Sequence, residues 1–233
     1  MVEKAFDIRD IRCVHRHHWP DHKACFANGR IDYDFKDDRD FERKTGLPWW
    51  KYYYKKIGYF DIETTADFNA DWGTVLTWCI KEKDGGIESS VITREELLSG
   101  VYDKRVVEEF VTALQKYTII VGYYSDRFDM PFMRSKAMHY GIDFPSYGDL
   151  YHWDLYYTVR AKLKLSRRSL DNVCQYLGIP GKTPIDKDIW MKARYGDKKA
   201  LEYVLEHNKG DVIITEKLHN KLEFLRKWLR KSI

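Results

Sequence analysis

The clearest strand in this 233-residue sequence is Ile57-Gly-Tyr-Phe-Asp-Ile-Glu63, a short apolar run that carries two acidic residues. Side chains alternate between the two faces of a strand, so Asp61 and Glu63 leave the same face. Neighbouring carboxylates repel each other, and a divalent cation between them offsets that repulsion. A solvated strand face is the alternative, but the apolar neighbours favour a central strand.

Around this strand, the sequence predicts further strands and helices. The predicted strands are 57–63, 75–81, 87–93, 118–124 and part of 149–156; the predicted helices are 103–116, 131–140, 169–177, 186–195 and the segment from 197 onward. The turn Lys83-Asp-Gly-Gly86 separates the second strand from the third, which indicates an antiparallel meander of the first three. This order predicts an α/β protein with a mixed sheet.

Composition narrows the class of protein. Apolar residues make up 44% of the chain and aromatic residues 15%, enough for a sizeable core, and the net charge of +4 suits a polyanionic partner without requiring one. No apolar run of about 18 residues occurs, and the charged N-terminus lacks a hydrophobic signal region. We therefore expect a cytoplasmic protein without a signal peptide or a transmembrane segment.

Three further residues could complete a site with the two acids of the first strand. Asp129 follows the buried strand 118–124 and precedes a helix, where its alternative role is that of an N-cap. His207 and Asp211 lie one helical turn apart, where their alternative role is a surface ion pair. Phosphodiester hydrolysis by two metals needs three or four carboxylates around ions about 4 Å apart. A histidine beside the attacking water can act as a general base.

Three ordered motifs resemble those of a known group of nucleases. Phe60-Asp-Ile-Glu-Thr-Thr65 is similar to the first exonuclease motif of the DEDD superfamily. The segment 122–131 resembles the second motif of proofreading domains in family B DNA polymerases, and His207-Asn-Lys-Gly-Asp211 resembles the third. Ser169-Leu-Asp-Asn-Val173 between them also fits that group. The resemblance is closest to stand-alone exonuclease domains of the polymerase-B type and covers roughly 57–225.

This resemblance implies a fold, an activity and a set of site residues. The implied fold is ribonuclease-H-like, with a mixed five-stranded sheet flanked by helices. The implied activity is 3′–5′ exonuclease cleavage at nucleic-acid 3′ ends, with single-stranded DNA favoured, by two Mg²⁺ or Mn²⁺ ions. The implied metal ligands are Asp61, Glu63, Asp129 and Asp211, with His207 positioning the water and Thr64, Thr65, Tyr124 and Phe128 contacting nucleic acid.

The chain departs from the family at two of these positions. Polymerase proofreading domains usually carry tyrosine four residues before the last aspartate, where this chain has His207. The histidine-type subfamily usually places its histidine one residue further away, so this chain combines a histidine with the tyrosine-type spacing. Many relatives have asparagine where this chain has Tyr124, which implies a different contact with the terminal nucleotide.

The first 50 residues form a separate segment, distinct from the nuclease-like domain of residues 51–233. Cys13, His17, His22 and Cys25 fall within a short span, and His22-x-x-Cys25 has the spacing of a metal knuckle. A structural Zn²⁺ site with two cysteines and two histidines is the hypothesis, with His15 as the alternative to His17. A basic, histidine-rich loop without zinc is the other interpretation.

Two mixed runs suit nucleic acid. One consists of the basic residues Lys162, Lys164, Arg167 and Arg168, and the other of the aromatic and basic residues at 49–56. Aromatic rings among cations can stack on single-stranded bases, although charge runs are more often solvated faces. Two other functions stay open from the sequence alone: a structure-selective endonuclease, and a non-catalytic nucleic-acid-binding protein.

Overall fold

The computed structural model describes residues 12–13, 31–32, 57–65, 69–117, 119–146, 150–181 and 186–225. Its strands are β1 Arg12–Cys13, β2 Ile31–Asp32, β3 Ile57–Thr64, β4 Val75–Glu82, β5 Ile87–Val91, β6 Ile119–Gly122 and β7 Tyr151–Asp154. Its α-helices are α1 Arg94–Ser99, α2 Lys104–Leu114, α3 Asp129–Tyr140, α4 Leu155–Lys162, α5 Leu170–Tyr176, α6 Lys187–Arg194 and α7 Lys198–Leu222, which a 3₁₀ turn Glu223–Leu225 follows.

Five strands form one mixed sheet in the order β5-β4-β3-β6-β7. Strand β4 pairs antiparallel with both β3 and β5, whereas β3, β6 and β7 run parallel. The predicted meander and the five-stranded mixed sheet are thus confirmed. Strand β3 lies at the centre, so the carboxyl ends of three parallel strands meet at one edge of the sheet, where α/β proteins commonly bind ligands.

Both faces of the sheet are covered by helices, because the strand side chains alternate. Tyr59 and Cys79 face a buried cluster to which α4, α5 and the C-terminal half of α7 contribute. Phe60 and Trp78 face the opposite cluster, which α2 and α3 cover together with the start of α7. Asp61 and Glu63 share the face of Tyr59, so α7 packs on the side of the sheet that carries the acids.

Most predicted helices occur close to their expected bounds, and their starts follow from capping. The side chains of Ser169, Asp186 and Asp197 each accept a backbone hydrogen bond at the start of α5, α6 and α7. Helix α3 differs, because it begins at Asp129 rather than Pro131 and its N-cap is Phe128, which makes no side-chain cap bond. Asp129 is therefore not the cap of this helix, and its carboxylate is used elsewhere.

Two contacts fix where the long helix α7 crosses the sheet. Glu216 forms a nearly buried ion pair with Lys81 on β4 at 2.7 Å and also accepts the backbone N–H of Asp84 at 2.9 Å. His219 shares a buried hydrogen bond of 2.8 Å with the Tyr59 hydroxyl on β3. The C-terminal half of α7 is thereby tied to both central strands, and this determines the position of the residues further up the helix.

The buried His219 predicts a pH dependence of stability. Burial lowers the pKa of His219 to about 4, and the positive charge of Lys83 acts in the same direction. As pH falls from about 6.5 towards 4, the unfolded chain gains a proton at this site that the folded protein does not accept. The stability contributed by neutral His219 is present above pH 6.5, and about 2–3 kcal/mol of it is lost on acidification.

A comparison with His219→Gln isolates this contribution, since glutamine can still bond to the Tyr59 hydroxyl. We expect the free energy of unfolding of the wild type to exceed that of the variant most above pH 6.5, with the gap narrowing towards pH 4.5. Urea unfolding above pH 6.5 and at pH 4.5 measures this difference in the free energy of unfolding. An equal gap at the two pH values would contradict the assignment.

Among the helices that the structure describes, none combines the length and the apolar character that a membrane crossing requires.

Candidate active site

The carboxyl-terminal half of β3 carries acids on a partly open edge. Parallel pairing of β3 with β6 runs from Ile57 to Tyr59, while antiparallel pairing with β4 continues to Thr64. Beyond Tyr59 the backbone N–H of Ile62 donates instead to the carboxylate of Asp129, at 3.1 Å. The segment that follows β6 therefore returns to β3. Its acid, Asp129, lies beside the part of β3 that carries Asp61 and Glu63.

Helix α7 supplies a histidine and a third acid to the same face. Nε2 of His207 lies 3.7 Å from Oε1 of Glu63 and 3.7 Å from Oδ2 of Asp211. These three residues each offer one ligand atom, and the three atoms lie within 4.8 Å of one another. The helical spacing that the sequence indicated therefore places the histidine and the acid on one face, directed at the sheet rather than at solvent.

An asparagine that sequence reasoning did not assign to the site orients Asp61. Asn208 is fully buried and its amide nitrogen donates to Oδ2 of Asp61 at 3.0 Å. Its amide oxygen has no hydrogen-bond partner within the described residues. The only sequence signal for Asn208 was its position between His207 and Asp211. Amide side chains that are fully buried usually have hydrogen-bond partners.

The surroundings of the acids disfavour bare negative charge. Burial raises the pKa of Asp129 to about 7, with its hydrogen bond from Ile62 acting in the opposite direction. Burial also raises the pKa of the Cys79 thiol, and the charges of Asp61 and Glu63 raise it further. The region thus holds several carboxylates close together in partly buried surroundings, a condition that a bound cation relieves.

The residues present fit a divalent cation. Carboxylate oxygens from β3, α3 and α7 are the hard donors that Mg²⁺ and Mn²⁺ prefer, and one imidazole nitrogen adds a softer donor. Glu63, His207 and Asp211 form the tightest group of such donors in the described part of the chain. Asp61 lies on the same strand face and Asp129 beside Ile62, so both adjoin this group.

A tightly bonded turn determines the position of Asp129. The carboxylate of Asp154, at the end of β7, accepts backbone N–H groups from Tyr124, Asp126 and Tyr156 at 2.8–2.9 Å. Tyr124 adopts a left-handed backbone with φ of +61°, which is uncommon for a bulky residue. Gly122 has no room for a side chain, because the ring of Phe60 and the side chain of Ser125 occupy that space.

A tryptophan from α6 closes the site beside the histidine. The indole N–H of Trp190 donates to the backbone carbonyl of Thr64 at 3.2 Å. Its ring meets the ring of His207 edge to face, with centroids 6.4 Å apart. Trp190 and Thr64 lie 126 residues apart in the chain, and no local pattern indicated their contact.

The four residues predicted to contact nucleic acid differ in their exposure to solvent. Thr64 and Thr65 are buried, and their hydroxyl groups take part in local hydrogen bonds at the end of β3. Phe128 is half-buried against Phe132. Tyr124 is 47% exposed, and its ring lies against that of Tyr156 with centroids 4.9 Å apart. Tyr124 is thus the most accessible of the four.

Other predictions fall partly or wholly outside the described residues. Lys164, Arg167 and Arg168 of the basic run are exposed, and Lys162 is half-buried. The aromatic run at 49–56 lies outside the description, as do the side chains of the predicted zinc ligands Cys13, His17, His22 and Cys25.

A mixed five-stranded sheet with acids at the carboxyl ends of its parallel strands defines the ribonuclease-H-like class of fold. The family described as the RNase_H superfamily matches residues 58–223. The chain therefore belongs to the RNase H superfamily, and the ribonuclease-H-like fold expected from the sequence is confirmed.

Known proteins similar to this chain include archaeal DNA polymerases. A DNA polymerase of Methanocaldococcus jannaschii is 31% identical over 130 residues, which cover 46% of this chain and 8% of that protein. One of Archaeoglobus fulgidus is 28% identical over 178 residues, which cover 65% of this chain and 22% of that protein. The match thus spans less than a quarter of either relative.

A solved structure shows the same fold. The family B DNA polymerase of the hyperthermophilic archaeon Pyrobaculum calidifontis superposes with a TM-score of 0.63 at 23% sequence identity. The superposition covers 75% of this chain and 25% of that polymerase. The likeness to family B polymerases that the motifs indicated is thereby confirmed.

Proposed function

We propose that this protein is a metal-dependent 3′–5′ exonuclease that hydrolyses phosphodiester bonds at nucleic-acid 3′ ends, with single-stranded DNA as the favoured substrate. The observation that carries the proposal is the convergence of Glu63, His207 and Asp211 within 4.8 Å, at the acid-bearing edge of the sheet. The likeness to a DNA polymerase over 65% of this chain supports a nucleic-acid substrate.

Four acids would hold two Mg²⁺ or Mn²⁺ ions: Asp61, Glu63, Asp129 and Asp211. When bound, such ions generate hydroxide from water and stabilise charge on the phosphate and the leaving oxygen. The chain itself keeps the acids in place, since Asn208 holds Asp61 by one hydrogen bond and the Ile62 N–H holds Asp129 by another. His207 faces the same space and is the candidate to position the attacking water.

The exposed tyrosine beside the site suits a base of the substrate strand. We propose that Tyr124 stacks on a base near the 3′ end, while Phe128 and the threonines Thr64 and Thr65 shape the space for the terminal nucleotide. Tyr124→Ala should weaken single-stranded DNA binding about five- to hundredfold, because stacking contributes about 1–3 kcal/mol per base.

Fluorescence anisotropy with a labelled oligonucleotide measures this effect. Tyr102→Ala is the matched control, because Tyr102 has nearly the same exposure, 48%, and also a positive φ, +49°, on a different loop. Equal affinities of the two variants would remove Tyr124 from the binding surface.

The activity can be tested with end-labelled single-stranded DNA, duplex DNA and RNA of one sequence, each with Mg²⁺ or Mn²⁺. A 3′–5′ exonuclease shortens the substrate one nucleotide at a time from the 3′ end and fails on a blocked 3′ end. Internal cleavage of the blocked substrate would instead show a structure-selective endonuclease. Binding without cleavage under all conditions would show a non-catalytic binding protein.

We further propose that residues 1–50 form a module ordered by one structural Zn²⁺, held by Cys13, His22, Cys25 and either His17 or His15. Two cysteine and two histidine ligands at this spacing suit tetrahedral zinc. Metal analysis of the purified protein should give one zinc per chain, and chelation should make the segment sensitive to protease. Protease resistance that survives complete removal of zinc would argue against the module.

A further inference from the structure

The histidine of the third motif lies where two metal-binding acids meet. His207 is buried, and the same nitrogen, Nε2, lies 3.7 Å from Glu63 and 3.7 Å from Asp211. A group that acts on a water molecule needs its nitrogen directed at that water. Here the nitrogen is equally close to one oxygen of each of the two acids, so a cation bound between the acids would also face this nitrogen.

We propose that His207 is itself a ligand of the cation held by Glu63 and Asp211, and that this mixed set binds a first-row transition metal more tightly than Mg²⁺. The inference rests on the proposed metal-dependent function and adds the choice of metal. Imidazole is a favourable ligand for transition metals, whereas Mg²⁺ prefers an all-oxygen octahedron and retains much of its water.

The distances fit one ion among three ligand atoms. A point midway between three atoms with these separations lies about 2–2.5 Å from each, close to the bond lengths of transition metals to nitrogen and oxygen. His207 and Asp211 occupy successive turns of one helix, so their separation is set by the backbone.

Two neighbours hold the parts of this set in place. The ring of Trp190 contacts the ring of His207, and the Trp190 N–H is bonded to the end of β3, the strand that carries Glu63. Asn208, the next residue of the helix, is fully buried and bonded to Asp61, yet its amide oxygen has no hydrogen-bond partner within the described residues. The bond from Asn208 to Asp61 therefore ties this part of the helix to the strand that carries Glu63.

Metal binding by the full-length protein tests this inference independently of catalysis. The metal-free wild type and His207→Gln are titrated calorimetrically with MnCl₂ and with MgCl₂. We expect the substitution to weaken Mn²⁺ binding at least about tenfold and Mg²⁺ binding less than about threefold. His139→Gln, an exposed histidine on α3, is the control and should leave both affinities unchanged.

Pulsed electron paramagnetic resonance of the Mn²⁺-loaded protein gives a second readout. Coupling of the metal to an imidazole nitrogen should be present in the wild type and in His139→Gln, and absent from His207→Gln. Absence of this coupling in the wild type, or unchanged Mn²⁺ affinity in His207→Gln, would overturn the inference and leave His207 as a group that acts on water.

The failure of the broader proposal would look different. If the protein is not a nuclease, the oligonucleotide substrates stay intact with either metal, whatever His207→Gln does to metal affinity. If it is a nuclease in which His207 acts only on water, the wild type hydrolyses the substrate and His207→Gln loses hydrolysis while its metal affinity is retained. That second result rejects the ligand role alone.

Discussion

Asp211→Asn should lower the hydrolysis rate at least about a thousandfold while the protein stays folded, because a bound cation contributes several kcal/mol to the transition state. Asparagine has the shape of aspartate but lacks its charge. Asp211 is nearly buried and forms, with Glu63 and His207, the tightest donor group of the described chain. With a neutral amide at position 211, the donor group binds a cation too weakly to hold it where catalysis requires it.

Single-turnover cleavage of labelled single-stranded DNA measures this loss, and circular dichroism with thermal unfolding confirms the fold. Glu206→Gln is the matched control, because Glu206 lies on the same helix but is exposed and pairs only locally with Lys209 at 2.8 Å. The control removes one negative charge from an exposed side chain outside the group of Glu63, His207 and Asp211, and should keep full activity. Wild-type activity in Asp211→Asn would refute the metal-dependent mechanism.

Gly122→Ala should both destabilise the protein, by about 2–4 kcal/mol, and impair hydrolysis by about a hundredfold. A Cβ atom at this position would lie 2.9 Å from the ring of Phe60 and 2.5 Å from Cβ of Ser125. Neither neighbour can yield easily, since Phe60 is buried and Ser125 is bonded to His152 at 2.8 Å. The turn must therefore shift, and Asp129 shifts with it.

Urea unfolding and the exonuclease assay measure the two effects. Gly210→Ala serves as the contrasting variant, because Gly210 lies inside α7 and a Cβ there meets no atom within 4 Å. Alanine in a helix interior should raise stability by about 0.5–1 kcal/mol. Equal stabilities of Gly122→Ala and Gly210→Ala would show that close packing around Gly122 does not determine the conformation of the turn after β6.

The spacing of apolar residues and the turn residues between segments predicted most of the fold. The strand β3, the meander and the amphipathic helix α2 follow from local patterns. The apolar residues at helical spacing in α2 are all buried: Val106, Val107, Phe110, Val111 and Leu114. Two helices, α1 and α4, were not predicted. Helix α1 contains no buried residue, so it has no apolar periodicity, and α4 follows β7 without a break, which hides its start.

The order of the motifs in the sequence suggested which acids form the candidate site, but it could not predict the bonds that hold them. Asp154 is the N-cap of α4, and the same carboxylate also accepts two N–H groups from the turn after β6. Asp129 looked like a cap and instead bonds to Ile62, 67 residues away in sequence. Such contacts depend on how the chain returns to the sheet, which no local pattern encodes.

The ion pair between Lys81 and Glu216 has a consequence for reaction geometry. An α-helix behaves as a stiff rod, and α7 is clamped to the sheet at Glu216, five residues beyond Asp211. Any change in the angle of the rod at this clamp is transmitted along its axis to Asp211. The gap between Glu63 and Asp211 therefore depends on how this ion pair seats the helix, and substitutions of Lys81 or Glu216 offer a way to change that gap without replacing either acid.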